Sequence, residues 1–474
     1  MEQDSLSFER MIGIWDLQPI GRSYIMTTRL LVVLYSVLLS CLPGSIVAAE
    51  PDLEFSLHKN GPANINHASN GPTLLVIGGI QGDEPGGFTA ASLLVTHYKI
   101  TAGQVWIVPN LNFESIIQRS RGIYGDMNRK FSKLKPNDPE FKTVQKIKQI
   151  ITSPDVDLIL NLHDGSGFYN ERYIDAQHNP NRWGQSIIID QATVGAGQYS
   201  QLEDLGKHVI NTVNNQINDS LNQYRLKNTH TSLGDKEMEK TLTYFAINHA
   251  KPAFGVEASK NFLTHQRAYY HLLVLEAFMS KIGIKFERRF ELAEAGIKKA
   301  MYDKLQLAFY NKKVFLDVAN ARDRLNYVPL KKNAKIDYTT RNPLVAVVSK
   351  NNRFNVRYGN RNLTYIKPSY FEYDDSLGDI KISIDGDVKN ISLGSIVEVN
   401  KDFNVHPIAG YRVNVIGFTQ HGNKDESNQT IKLQNIRSKF SVDKQSKIYR
   451  VEIYQGKKYC GMILVRFNTD ERTT

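Results

Sequence analysis

The sequence predicts an α/β domain on a largely parallel or mixed sheet with helices on both faces, followed by two small β-rich domains. Three observations carry this prediction. Between residues 50 and 280, short apolar β-branched runs alternate with stretches of helical periodicity. After Lys312 the pattern changes to short strands divided by Asn, Gly and Asp turns. The 474 residues, 41% hydrophobic and 23% charged, supply enough material for two to four globular domains. The expected divisions are an upstream segment and leader over 1–49, the α/β domain over 50–285, a small β-rich domain over 286–372 and a β-sandwich-like domain over 373–474.

The elements follow in order. Thr73-Leu74-Leu75-Val76-Ile77 reads as a buried strand, followed by a glycine-rich turn and a helix through Leu93 and Leu94. Gln104 to Val108 is a second strand. Phe141 to Ile151 has helical spacing and leads into the strand Asp157 to Leu162. Leu202 to Leu221 reads as one long amphipathic helix, Ala253 to Val256 as a further strand, and Gln266 to Lys281 as a closing helix. A short helical stretch is expected over Glu291 to Leu307. In the tail, Ile380 to Ile384 before Asp385-Gly386, and Ile448 to Tyr454 before Gln455-Gly456, are hairpin signals.

Near the N-terminus, Arg29 precedes an apolar run from Leu30 to Leu42. Pro43-Gly44-Ser45 then breaks it, and Val47-Ala48-Ala49 offers small residues for cleavage. This is the layout of a secretory signal peptide, too short for a comfortable membrane span. An uncleaved anchor is the alternative, Met26 is an alternative start, and Leu38-Leu39-Ser40-Cys41 is a poor lipoprotein box. Cleavage after Ala49 leaves one cysteine, Cys460, and so no internal disulfide; the expected location is the periplasm. Formal net charge is +11, and about +12 without the leader. No basic stretch is interleaved with aromatics in a nucleic-acid-binding pattern, so the charge suits an anionic wall polymer or is a solvated basic surface.

Three segments put polar groups at the C-terminal ends of predicted strands, the edge where open α/β sheets assemble ligand sites. Gln81 and Glu84 lie three apart in Gly78-Gly79-Ile80-Gln81-Gly82-Asp83-Glu84, His163 ends the strand in Asn161-Leu162-His163-Asp164, and Glu257 sits in Gly255-Val256-Glu257-Ala258. Gln81, Glu84 and His163 make a three-donor metal site with an open position, leaving Glu257 as a base. Taken singly, each has a plainer reading: a phosphate cradle or tight turn, a hydrogen-bonded structural histidine, a cap. Arg121 and the pair Asn128-Arg129 offer planar donors able to hold a carboxylate; the plainer reading is a basic loop.

Gly79 to Glu84, Asp126 to Phe131, His163 and Glu257, as an ordered set, resemble the carboxypeptidase A-type zinc metallopeptidases. The resemblance is nearest to the exported peptidoglycan DL-carboxypeptidases that set helical cell shape, which also carry Gln in place of the first zinc histidine and two β-rich C-terminal domains. It implies a carboxypeptidase fold and Zn2+ held by Gln81, Glu84 and His163. Arg121, Asn128 and Arg129 would then grip the substrate's terminal carboxylate, with Glu257 as general base. It further implies trimming of muramyl tripeptide to dipeptide with release of meso-diaminopimelate, and other cell-shape proteins as partners. An amide oxygen at position 81 is a weaker donor than imidazole, so zinc is expected to be held loosely. Tyr244, thirteen residues before Glu257, is a weak counterpart of the family's substrate-covering tyrosine. Lys260 and Trp183 read better as a solvated lysine and a core tryptophan than as pocket residues.

Two other readings stand beside this one. One is a deacylase of the succinylglutamate desuccinylase type, against which the leader and β-rich tail count. The other is an inactive wall-binding protein in which Gln81 marks a lost metal site; retention of Glu257, Arg121 and Arg129 argues against it. Ser441-Val442-Asp443-Lys444 fits a serine nucleophile pattern without its partner motifs and reads as chance.

Overall fold

The computed structural model describes residues 53–62, 71–350, 353–419 and 424–468. The expected leader lies outside them. Among the described residues no helix is long and apolar enough to cross a membrane.

The strands of the first region are β1 (His58–Asn60), β2 (Thr73–Ile77), β3 (Tyr98–Ala102), β4 (Gln104–Val108) and β5 (Leu158–Gly165). They continue as β6 (Phe168–Tyr169), β7 (His178–Asn179), β8 (Ser186–Ile189), β9 (Arg225–Asn228), β10 (Ala253–Ser259) and β11 (Lys285–Arg288). The helices are α1 (Pro85–His97), α2 (Phe113–Gln118), α3 (Phe141–Ile151), α4 (Leu202–Asn214), α5 (Leu242–Asn248), α6 (Thr264–Ile282) and α7 (Glu294–Ala300).

Seven strands form one sheet in the order β1-β4-β2-β5-β10-β8-β9. The central four, β4, β2, β5 and β10, are parallel, while β8 runs antiparallel to β10 and β1 antiparallel to β4. The sheet is therefore mixed. Every residue of β2, β4 and β5 is buried, which requires cover on both faces and explains why these strands are so largely apolar until the polar residues at the C-terminal half of β5. Pro85, with no N–H to lose, opens α1, and Gly283 in the left-handed region closes α6. In α3 the buried residues Val144, Ile147 and Ile151 form the single stripe that its spacing predicts.

Two helices are shorter than the sequence pattern suggests. The helix from Leu202 ends at Asn214, not Leu221. There the Asn214 side chain accepts from the Tyr224 N–H and donates to the Tyr224 carbonyl, so a side-chain clamp replaces further helical turns. The stretch expected over Glu291 to Leu307 is helical only over Glu294–Ala300. The chain then turns through Lys304, at φ 49°, into the strand Gln306–Phe309.

Beyond α7 come a three-stranded sheet and a four-stranded sheet of Arg324–Lys331, Arg361–Phe371, Arg353–Tyr358 and Val345–Lys350. Two further four-stranded sheets follow within 379–467 and enclose their own core, which includes Ile382, Phe403, Val451 and Ile463. Both expected hairpins are present: Ile384 pairs with Asp387 across Asp385-Gly386, and Gln455 with Lys458 across Gly456. Cys460 is buried and free. Ser441 accepts from Arg322 and donates to the Asp443 carbonyl, while Lys444 pairs with Asp323, so these residues serve a turn.

Candidate active site

The chain leaves β2 to build β4 on one side and later adds β5 on the other, so the C-terminal ends of β2 and β5 flank a topological switch point. Gln81 and Glu84 occupy the turn between β2 and α1. This turn lies against the α2 backbone so closely that a Cβ on Gly82 would stand 2.1 Å from the Ser115 carbonyl. His163 is on β5, and the parallel register sets Glu257 of β10 directly opposite it. Three neighbouring strands thus bring four side chains, far apart in sequence, to one edge.

There a cavity of about 320 Å³ is lined by all seven residues singled out in the sequence: Gln81, Glu84, Arg121, Asn128, Arg129, His163 and Glu257. His163 Nδ1 lies 3.0 Å from both Gln81 Oε1 and Glu84 Oε2. Among the described residues no three His, Cys, Asp or Glu side chains are grouped to hold a metal, so a three-donor centre here depends on the Gln81 amide oxygen. That oxygen is aimed by its neighbour. Gln81 Nε2 donates to Asp126 Oδ1 and Oδ2 at 2.8 and 2.9 Å, which turns Oε1 toward His163 and Glu84. A carboxylate behind a ligand is the usual outer-shell support of a metal site. Asp126 stood in the motif, but this duty could not be read there, because nothing in the spacing shows which side chain faces the glutamine.

Asn161 Nδ2 approaches His163 Nε2 at 2.7 Å. With the amide in this orientation Nε2 accepts and Nδ1 carries the proton that bridges to Gln81 and Glu84; turning the amide over gives Nε2–H an acceptor and frees the Nδ1 lone pair. One oxygen-rich carboxylate, one amide oxygen and one imidazole nitrogen suit Zn2+, and the donor set fits the group.

Glu84 is buried and heavily compensated. Oε1 lies 3.3 Å from both Arg121 Nη1 and Lys260 Nζ, and Oε2 accepts from the Asp164 N–H at 3.1 Å. Burial opposes protonation of His163, but its hydrogen bond and attraction to Glu84 prevail and hold the imidazole above its ordinary value. Asp164 is a strut: it accepts from the Gly86 N–H and pairs with Arg267 and His271. Glu257 differs from all of these. Its Oε2 is shielded from solvent and has no hydrogen-bond partner. Burial pushes its carboxyl up to about 8, with His163 and Lys260 pulling down and Glu84 and Asp164 pushing up.

The raised Glu257 value gives a linkage prediction for metal-free protein. A carboxyl that titrates near 4.5 unfolded and near 8 folded costs stability progressively as pH rises between those values. Glu257→Gln removes the cost, so its thermal midpoint exceeds that of the parent at pH 8 and converges with it at pH 4. A difference that is constant across this range in calorimetry would contradict the assignment.

Arg121 is less free than the sequence suggests: it is half exposed and tied to Asp126 at 3.1 Å as well as to Glu84. Arg129 donates to the Asn128 carbonyl and has only a loose 3.7 Å pairing with exposed Glu237. Asn128 Oδ1 accepts from the Leu242 N–H, leaving its amide nitrogen as the available donor. Trp183 and Lys260, expected in the core and in solvent, instead both line the cavity. Lys227 Nζ lies 4.0 Å from the Trp183 ring centre and is held to main-chain carbonyls; burial lowers its pKa to about 8. Tyr244 packs partly buried against the core, and Thr241 and Thr243 line the cavity in its vicinity.

One cavity thus gathers carboxylate, amide, imidazole and guanidinium groups of the kinds a metallocarboxypeptidase uses. Comparison with known proteins agrees. The family described as the catalytic part of a carboxypeptidase controlling helical cell shape matches residues 49–302, and a family described as the C-terminal domain of metallo-carboxypeptidase matches 373–468. The chain belongs to the first of these families, the D,L-carboxypeptidase cell-shape determinants, and is a hydrolase of peptide bonds. The tripeptide-bound crystal structure of the cell shape determinant Csd4 from Helicobacter pylori is 39% identical, covers 87% of this chain and 100% of its own, and superposes with a TM-score of 0.79. The mDAP-bound form of the same D,L-carboxypeptidase is 40% identical over 86% of this chain and 100% of its own, also at 0.79. A curated relative, the N-alpha-acetyl-L-2,4-diaminobutyric acid deacetylase of Halomonas elongata, is 33% identical over 112 residues; the match covers 22% of this chain and 32% of the deacetylase.

Proposed function

We propose that the protein is an exported, zinc-dependent peptidoglycan D,L-carboxypeptidase that trims muramyl tripeptide to dipeptide by releasing meso-diaminopimelate, and so acts on cell shape. One observation carries the proposal: Gln81 Oε1 and Glu84 Oε2 meet His163 Nδ1 at 3.0 Å beside an unpartnered Glu257 oxygen. Solved forms of Csd4 with tripeptide, product and mDAP bound support the choice of substrate. The leader-like segment before residue 50 and the lone cysteine of the mature chain support a periplasmic location. Other cell-shape proteins remain the proposed partners, together with the wall itself.

Gln81, Glu84 and His163 would hold zinc, which when bound supplies Lewis acidity to water and to the scissile carbonyl. The chain's own groups do the rest. Arg129 and the Asn128 amide hold the terminal carboxylate, joined by Arg121 once Glu84 is otherwise neutralised. Glu257 takes the proton of the attacking water and delivers it to the departing amine. The cationic groups around the cavity favour the negative charge that develops on the carbonyl oxygen.

The test is product analysis of muramyl tripeptide incubated with the mature protein, with chelator and then added zinc. Release of diaminopimelate that chelator stops and zinc restores is the expected result; no release under any metal condition would favour the inactive wall-binding reading. A second reading, hydrolysis of an N-acyl amino acid, is favoured by the 112-residue likeness to the deacetylase, and acetate release from acetylated diamino acids would support it.

Two substitutions test the roles. Arg129→Ala raises KM for tripeptide by about 10- to 100-fold with a smaller change in kcat, the cost of a charge-assisted contact. If kcat/KM does not change, the carboxylate is held elsewhere. Gln81→His tightens zinc about 10- to 100-fold in competition with a chelating dye, because Asp126 can accept the imidazole N–H as it now accepts the amide. Unchanged affinity would remove Gln81 from the ligand set.

A further inference from the structure

A second cavity, of about 850 Å³, shares no lining residue with the catalytic one and lies between the sheet of Arg324–Lys331 and the last sheet of the chain. Its size is within the roughly 300–1,000 Å³ of small-molecule sites. Three features distinguish it from a simple seam between modules. The first is a strained bulge. The pairing of Arg324–Lys331 with Arg361–Phe371 slips between Asn326 and Val328, and Tyr327 takes up the slip at φ 57°, an uncommon backbone for a tyrosine. The bulge leaves the Tyr327 ring 63% exposed at the rim.

The second feature holds the bulge in place. Buried Arg450, on the strand Ile448–Gln455, donates Nη1 to the Tyr327 carbonyl and Nη2 to the Asn326 carbonyl at 3.1 and 3.0 Å. Its charge is spent on the fold. Strain held by a buried guanidinium from another module is the kind that persists where a side chain must be aimed. The third feature is Glu452, 2% exposed and lining the cavity. Oε2 accepts from the Tyr454 hydroxyl at 2.6 Å, while Oε1 forms an ion pair with Arg450 Nη1 at 3.3 Å and accepts no hydrogen bond. A buried carboxylate oxygen with an ion pair but no hydrogen bond keeps accepting capacity for a ligand.

The remaining lining states the chemistry. Phe371, Phe418, Phe440 and Tyr454 supply apolar surface, Asn326 supplies an amide, and Asn414, whose Oδ1 already accepts from Arg412, supplies its amide nitrogen. Lys439 and Arg324, exposed at the edge, disfavour a cationic ligand, and the carboxyl groups of Glu426 and Glu452 disfavour an anionic one. A neutral molecule with apolar ring faces and many hydroxyl and amide groups satisfies both constraints. From this geometry we infer a carbohydrate-binding site between the two β-rich modules, which takes a short oligosaccharide of N-acetylated hexosamine units with Tyr327 at its mouth and Glu452 at its floor.

The inference does not depend on the peptidase reading, and its test separates the two. Triacetylchitotriose, which has no peptide, is titrated calorimetrically into the full mature protein. Saturable binding is expected. Glu452→Gln and Tyr327→Asn, the latter chosen because asparagine tolerates the left-handed backbone, each weaken it about tenfold or more, while turnover of a soluble tripeptide is unchanged. The exposed position of Tyr327 keeps the test valid if Glu452→Gln folds poorly. No binding at millimolar sugar, equal binding by parent and Tyr327→Asn, or saturable binding of a stem peptide in place of the sugar each overturn the inference. An active peptidase that ignores the sugar overturns this site alone; sugar binding without turnover overturns the peptidase alone.

Discussion

Glu257→Ala lowers kcat on muramyl tripeptide by at least about 10³-fold, Glu257→Gln nearly as far, and both leave zinc content and KM within about twofold of the parent. The expectation follows from how the carboxylates around the cavity are occupied. Glu84 is answered by Arg121, Lys260, His163 and the Asp164 N–H, and Asp126 by Gln81, Arg121 and the Asn128 N–H. Asp164 is answered by Arg267, His271 and the Gly86 N–H. Of the described carboxylates that line the cavity, Glu257 alone keeps a shielded oxygen with no hydrogen-bond partner, and a base must have an unengaged lone pair where the water will stand. Desolvation also raises its basicity, which a proton acceptor working near neutral pH requires. Steady-state kinetics with metal analysis on the same samples checks this. Activity within tenfold of the parent in Glu257→Gln would mean that another group takes the proton, and lost zinc in either variant would mean that Glu257 belongs to the metal set.

What could be read from the chain and what could not divide along a physical line. Strand ends were legible because a strand buried on both faces is mostly apolar and turns polar near the sheet edge; hence His163 and Glu257 could be placed near that edge from the sequence, although β5 and β10 each run two residues beyond them. The hairpin at Asp385-Gly386 was legible because its turn needs residues that tolerate positive φ. Pairwise facing was not legible. No spacing rule shows that Asp126 orients Gln81, that Arg121 is shared by two carboxylates, or that Trp183 and Lys260 line the cavity while Tyr244 packs on the core. Nor does a local pattern reveal Asn214 closing its own helix by clamping Tyr224, or the Arg450 side chain reaching the Tyr327 bulge 123 residues earlier. These contacts are set by tertiary packing, which local propensity does not encode.

The second large effect is expected at Glu84. Glu84→Ala weakens zinc binding by at least about 100-fold and abolishes turnover at stoichiometric zinc, since it removes the anionic member of an otherwise neutral donor set. It also leaves Arg121, Lys260 and His163 facing one another without the carboxylate they share. His163 then loses its main source of upward shift, and with burial opposed only by the weaker attraction of Glu257 and Asp126 its imidazole titrates at lower pH in the metal-free variant than in the metal-free parent, a change that NMR of the ring protons reads directly. Asp126→Asn makes the useful comparison. It keeps the donor trio but gives the Gln81 amide an ambiguous partner, so zinc binding weakens by only about 10- to 100-fold and excess metal restores activity. The order of the two variants matters more than either size. If Asp126→Asn loses more zinc than Glu84→Ala, the metal is held by Asp126, and Gln81 is a spacer between them. If Glu84→Ala retains the parent's zinc and its activity, the edge shared by β2, β5 and β10 is not the metal centre.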